Sequence, residues 1–239
     1  MHHHAPRLLS AQQAQREHRI VTALELYRTK IDAGTASLSE IHQAGVCSCE
    51  VARSTNPLTP DMTEALGLLR IAELGFAEQE DWLGVAAVQC DQALTYFYMG
   101  THIGHLKAVE LVKKFVPALE AMHEENPTPA IDHQLGIGYY VRGRLPMRWE
   151  DKCNAYLRAH VHLERTSELD GARALRSLLC HWACDAHSIG QRIGGTYFAW
   201  RALRSAIKYK DKMHMGRAIA IMIAGKRGEL FAQQLRKRR

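Results

Sequence analysis

Residues 65–75 read Ala65-Leu66-Gly67-Leu68-Leu69-Arg70-Ile71-Ala72-Glu73-Leu74-Gly75. The same phrase stands earlier as Ala23-Leu24-Glu25-Leu26-Tyr27-Arg28, which runs on to Gly34. A third copy of its opening, Lys107-Ala108-Val109-Glu110-Leu111, follows Ala65 at nearly the same distance. Apolar residues recurring at three- and four-residue spacing predict amphipathic helices. A helix–turn–helix unit that repeats cannot bury its apolar face alone, so its neighbours must stack to share one core.

Working outward, the punctuation divides the chain into helices over about 12–33, 37–53, 60–75, 81–99, 101–122, 128–142, 147–165, 168–187, 191–211 and 212–235. Ser37 with Glu40 forms a capping-box pattern. Asn56-Pro57-Leu58-Thr59-Pro60 reads as a turn with Thr59 as N-cap and Pro60 at the first helical position. Gly100, Gly143 and Gly190 sit where C-terminal caps belong. No alternating run is long enough to read as a strand. Every second helix begins near residues 60, 102, 147 and 191. The expectation is an all-α single domain over 1–239, a short α-solenoid of about four to five antiparallel helical hairpins. It comprises an N-terminal extension over 1–11, hairpins over 12–211, and a basic C-terminal helix and tail over 212–239.

Ala-Leu-x-Leu-x-Arg ending in Gly, with Ala93-Leu94-Thr95-Tyr96-Phe97-Tyr98-Met99-Gly100 as a further first-helix pattern, resembles tetratricopeptide and pentatricopeptide repeats. The resemblance implies an architecture and a habit of binding partners along a concave face. It implies no chemistry.

Composition fits this reading. The 239 residues are 46% hydrophobic and 23% charged, which suits a chain with a continuous buried core. The net charge of +6 is unevenly placed. Residues 1–120 carry 10 Lys and Arg against 14 Asp and Glu, whereas residues from Ala186 onward carry 13 against 2. In the helix over 191–211, Ile193, Tyr197, Trp200, Leu203 and Ile207 read as the core stripe. Arg201, Arg204, Lys208 and Lys212 read as a second, cationic stripe, and Arg236, Lys237, Arg238 and Arg239 add a basic end. Such a block points to an acidic partner: a protein face, anionic lipid, or RNA phosphates, whose contacts position without reading sequence.

No nucleophile elbow, phosphate loop or dinucleotide fingerprint is present, so no catalytic or cofactor-binding residue is expected. Cys180-x3-Cys184-x2-His187 places two thiols and an imidazole on one helical face, donors that zinc accepts. Without a second pair, buried thiols lining helix contacts are the favoured reading. Glu120-Ala-Met-His123 lacks the second copy that a di-iron bundle needs. His160 and His162 face different sides of a helix. Six scattered cysteines favour a reducing compartment. Arg7, Arg16 and Arg19 with the single acid Glu17 give the start a mitochondrial-targeting character, a cytoplasmic location being the alternative. The longest apolar stretch, Ala218 to Ala224, is far below the ~18 residues of a membrane helix.

The sequence therefore favours a non-catalytic scaffold subunit of a multi-protein assembly. A stand-alone RNA-binding repeat protein is the second reading. A metal-dependent enzyme built on Cys180, Cys184 and His187 is the third.

Overall fold

The computed structural model describes residues 10–16, 19–56, 60–166 and 169–236. Among these the protein is all-α. In chain order the helices are α1 (Ala11–Arg16), α2 (Ile20–Asp32), α3 (Leu38–Thr55), α4 (Thr63–Glu78), α5 (Trp82–Tyr98), α6 (His102–Glu125), α7 (Pro129–Arg144), α8 (Trp149–Arg165), α9 (Leu169–Ser188), α10 (Arg192–Lys208) and α11 (Lys212–Arg236). The chain packs as two compact units, residues 1–111 and 112–239.

Local chemistry accounts for many of the boundaries. Ser37 accepts the Glu40 amide N–H while the Glu40 carboxylate accepts that of Ser37, so the expected capping box closes the start of α3. Thr128 caps α7, with Pro129 opening it. Four helices end on the same wound-back turn, in which an N–H reaches the carbonyl five residues earlier. These bonds run from Thr35 to Lys30, Asp81 to Phe76, Gln191 to Ala186 and Asp211 to Ala206. The turn needs a positive φ. Gly34 and Gly190 supply it as expected, but Glu80 (φ 57°) and Lys210 (φ 54°) supply it in the other two.

Two expected glycine stops are instead sites of close packing. A Cβ on Gly75 would lie 2.3 Å from Leu38 Cδ2, so α4 runs on to Glu78 with its backbone pressed against the start of α3. A Cβ on Gly143 would lie 2.3 Å from the Tyr156 ring, and α7 continues to Arg144. Helix α4 also starts later than expected, at Thr63, whose N–H donates to Asp61 Oδ1. Pro60 lies outside it, and the expected cap Thr59 lies outside the described residues. The expected single helix over 12–33 is two, which lets Ala11 and Ala14 of α1 pack onto Ala23, Leu24 and Tyr27 of α2.

In the first unit α2 packs on α3, α3 on α4 and α4 on α5. Both arginines of the repeated phrase hold glutamates. Arg28 of α2 makes a two-pronged ion pair with Glu64 of α4, which also accepts from Ser48 of α3. Arg70 donates to Glu73, a buried carboxylate that accepts from Gln89 and Gln92 of α5 as well. In the second unit α7 packs on α8, and α9 packs on α8, α10 and α11. Helix α11 breaks at Gly225 (φ 55°). No helix among the described residues is long and apolar enough to cross a membrane.

Candidate functional site: the outer face of α10

Helix α10 buries a row of small residues. Gly195, Ala199, Ala202 and Ala206 recur at steps of four, three and four and form its inward seam. Ala199 and Ala202 meet Cys180, Ala183 and Cys184 of α9 and Ala218 and Ile221 of α11. Small side chains let three helix backbones approach closely. A Cβ on Gly195 would stand 2.9 Å from the Ala183 carbonyl.

At 3.6 residues per turn, this seam sends Ile193, Tyr197, Trp200, Arg204, Ile207 and Lys208 to the opposite side of the helix. The expected core stripe is therefore overturned in all but Leu203. Ile193 is 90% exposed, Tyr197 53%, Trp200 48% and Ile207 59%, while the partly buried Leu203 packs against the seam cluster. Large apolar residues and small ones share the same helical period here, and close packing selects the small set.

The exposed face alternates apolar or aromatic groups with cations. The Arg204 guanidinium lies 5.8 Å above the Trp200 ring, and Lys208 Nζ lies 5.3 Å from the Tyr209 ring. Lys212 is exposed where α11 begins. Arg201 differs from its neighbours: it is turned aside into an ion pair with Glu164 of α8 at 3.0 Å. Arg236 ends α11, and Lys237, Arg238 and Arg239 lie outside the described residues.

Behind this face is a buried polar clamp. Arg176 of α9, only 2% exposed, donates from Nε and Nη2 to Asp211 Oδ2 at 3.1 and 2.9 Å. The same oxygen accepts from His214 Nδ1 at 2.8 Å, and Ser177 Oγ lies 2.9 Å from His214 Nε2. Burial opposes charge on Asp211, but the His214 N–H, its imidazole and Arg176 outweigh it and bring the carboxyl down to about 2. Burial depresses His214 to about 4, against the attraction of Asp211. Asp211, His214 and Ser177 thus line up with the spacing of a hydrolytic triad. Ser177, however, stands inside α9, where the helix uses the backbone amide groups around it for its own hydrogen bonds. The cluster works as a clamp, tying α9 to the start of α11 and so holding the Tyr209–Lys212 turn at the end of the α10 face.

A second network shares α9. His181 Nε2 receives the Arg217 guanidinium at 2.9 Å, so Nδ1 carries its proton, facing the Ser177 carbonyl and the Tyr140 hydroxyl, each at 2.8 Å.

The thiol set read from the sequence does not converge. Cys180 and Cys184 are buried in the α9–α10–α11 seam, and His187 packs beside Gly195 and Gly225. Among the described residues a different set brings ligand atoms together, namely His123, Asp132 and His162. His123 and His162 each belong to a separate local pattern of the sequence, and no local pattern links Asp132 to either.

No protein-family model matches this chain, and no curated protein matches its sequence.

Proposed function

We propose that the protein is a non-catalytic docking subunit, built from stacked helical hairpins in the manner of a short α-solenoid. Its α10 face takes an acidic, amphipathic segment of a partner protein. The observation that carries this reading is the exposed alternation of Ile193, Tyr197, Trp200 and Ile207 with Arg204, Lys208 and Lys212. Aromatic and aliphatic anchors ringed by cations suit a partner that offers an apolar stripe flanked by carboxylates. Ile193 and Ile207 favour protein over nucleic acid, because aliphatic side chains fill pockets but do not stack on bases.

The second reading, single-stranded RNA, draws on Tyr197 and Trp200, which offer ring faces beside phosphate-binding cations. The weak targeting character of the start supports a mitochondrial assembly as the setting for either.

Trp200→Ala and Arg204→Glu, separately and together, test the docking reading. Partner proteins captured from native extract by the parent chain are expected to be lost in each variant, with an unchanged circular dichroism spectrum and Tm. Retention of those partners by the double variant overturns the reading. Binding to mixed single-stranded RNA, falling steeply between low and moderate salt and lost in the same variants, would establish the second reading instead.

A further inference from the structure

Three ligating side chains meet where α6, α7 and α8 come together. His123 lies in the last turn of α6, Asp132 in the first turn of α7 and His162 in the last turn of α8. One donor atom of each lies within 4.8 Å of the other two. Asp132 Oδ1 is the shared vertex, 3.2 Å from His123 Nε2 and 2.6 Å from His162 Nδ1. A tetrahedral ion bound at about 2.0–2.2 Å to each ligand holds the ligand atoms roughly 3.3–3.6 Å apart. The first pair, at 3.2 Å, stands close to that spacing, and the second, at 2.6 Å, reaches it when the His162 imidazole swings away by up to about 1 Å.

The surroundings fit a prepared site. His123 Nε2 is enclosed and makes no hydrogen bond. Its approach to Asp132 is close enough for one but has the wrong direction. A buried nitrogen without a partner is costly, and a cation between the two groups would satisfy both. The rings are held in place: His123 meets His162 edge-on with centroids 5.3 Å apart, and Tyr139 stacks on His162 at 5.9 Å. Asp132 is 9% exposed, so its charge faces little water.

We infer that His123, Asp132 and His162 bind a divalent transition-metal ion of the zinc type. Two imidazoles and one carboxylate are the nitrogen and oxygen donors that zinc takes, whereas calcium and magnesium require oxygen throughout. Three protein ligands leave a fourth position for water or an incoming donor. Arg165 marks the competing charge. Its Nη1 stands 3.7 Å from Asp132 Oδ1 on a side chain that is 56% exposed, so it can swing away as the ion enters.

The test is calorimetric titration of the chelator-stripped full chain with Zn²⁺, with His2, His3 and His4 replaced by alanine so that the terminal run cannot chelate. One ion per chain is expected, with a rise in Tm on loading. His123→Gln, Asp132→Asn and His162→Gln should each weaken binding at least about tenfold, since losing even a supporting residue of a metal site costs that much. Arg165→Gln should tighten it by removing the competing cation. Cobalt substituted for zinc should give the visible absorption of a four-coordinate nitrogen and oxygen site, lost in His162→Gln. His123 is the most exposed ligand, so if the Asp132 or His162 variants fail to fold, the opposite shifts of His123→Gln and Arg165→Gln still decide. Absence of stoichiometric binding by the parent protein, or binding unchanged in His123→Gln, overturns the inference.

Discussion

His214 shows how one buried side chain makes the stability of the fold depend on pH. Its pKa is depressed by burial to about 4, below the roughly 6.5 of an exposed imidazole. The unfolded chain therefore binds a proton that the folded chain refuses throughout the interval between those values. Stability is fully present above pH ~6.5 and falls as the pH drops towards 4, by on the order of 3 kcal/mol in all. Asp211, held at about 2, adds a further loss below the ordinary carboxyl range. Urea titrations at pH 7 and pH 5 should show the His214 part as a lower midpoint at pH 5. In His214→Gln that difference should shrink. Arg176→Met is expected to cost about 3–5 kcal/mol at pH 7, because it strips a buried carboxylate of its cation.

Helix α10 is the element whose orientation decides what the surface offers. Its seam of Gly195, Ala199, Ala202 and Ala206 has no room for larger groups, so Ala202→Leu should be strongly destabilising, by about 1–3 kcal/mol or more. Ile193→Ser, on the 90% exposed side, should stay within about 0.5 kcal/mol. Thermal melts of the two variants check the assignment. If Ile193→Ser were the damaging change, the helix would face the other way. The Ser37–Glu40 box, the Thr128–Pro129 start and the Gly34 and Gly190 ends are written within a few residues, so they are legible. Glu80 and Lys210 adopt positive φ without glycine, and Gly75 and Gly143 pass through helices they were expected to end. In those four places packing and turn geometry overrule residue preference.

The whole molecule combines a mildly acidic front half with a strongly basic end, and it packs as two units that each bury their own core. Phe115 is 1% exposed and, within the second unit, packs against Gly138. Phe115→Ala should cost about 3–5 kcal/mol. Hydrogen exchange should then quicken first across residues 112–225, with α2–α5 keeping their protection; simultaneous loss in both units would show one cooperative fold. All the helices except the break between α1 and α2, many of their ends and the place of the basic block are legible in the sequence, because helical hydrogen bonds and caps join residues only a few positions apart. Tertiary structure alone decided which face of α10 is buried, that Arg201 turns to Glu164, and that His123, Asp132 and His162 meet. Those outcomes depend on how closely separate helices approach, and the size of residues on neighbouring helices sets that distance.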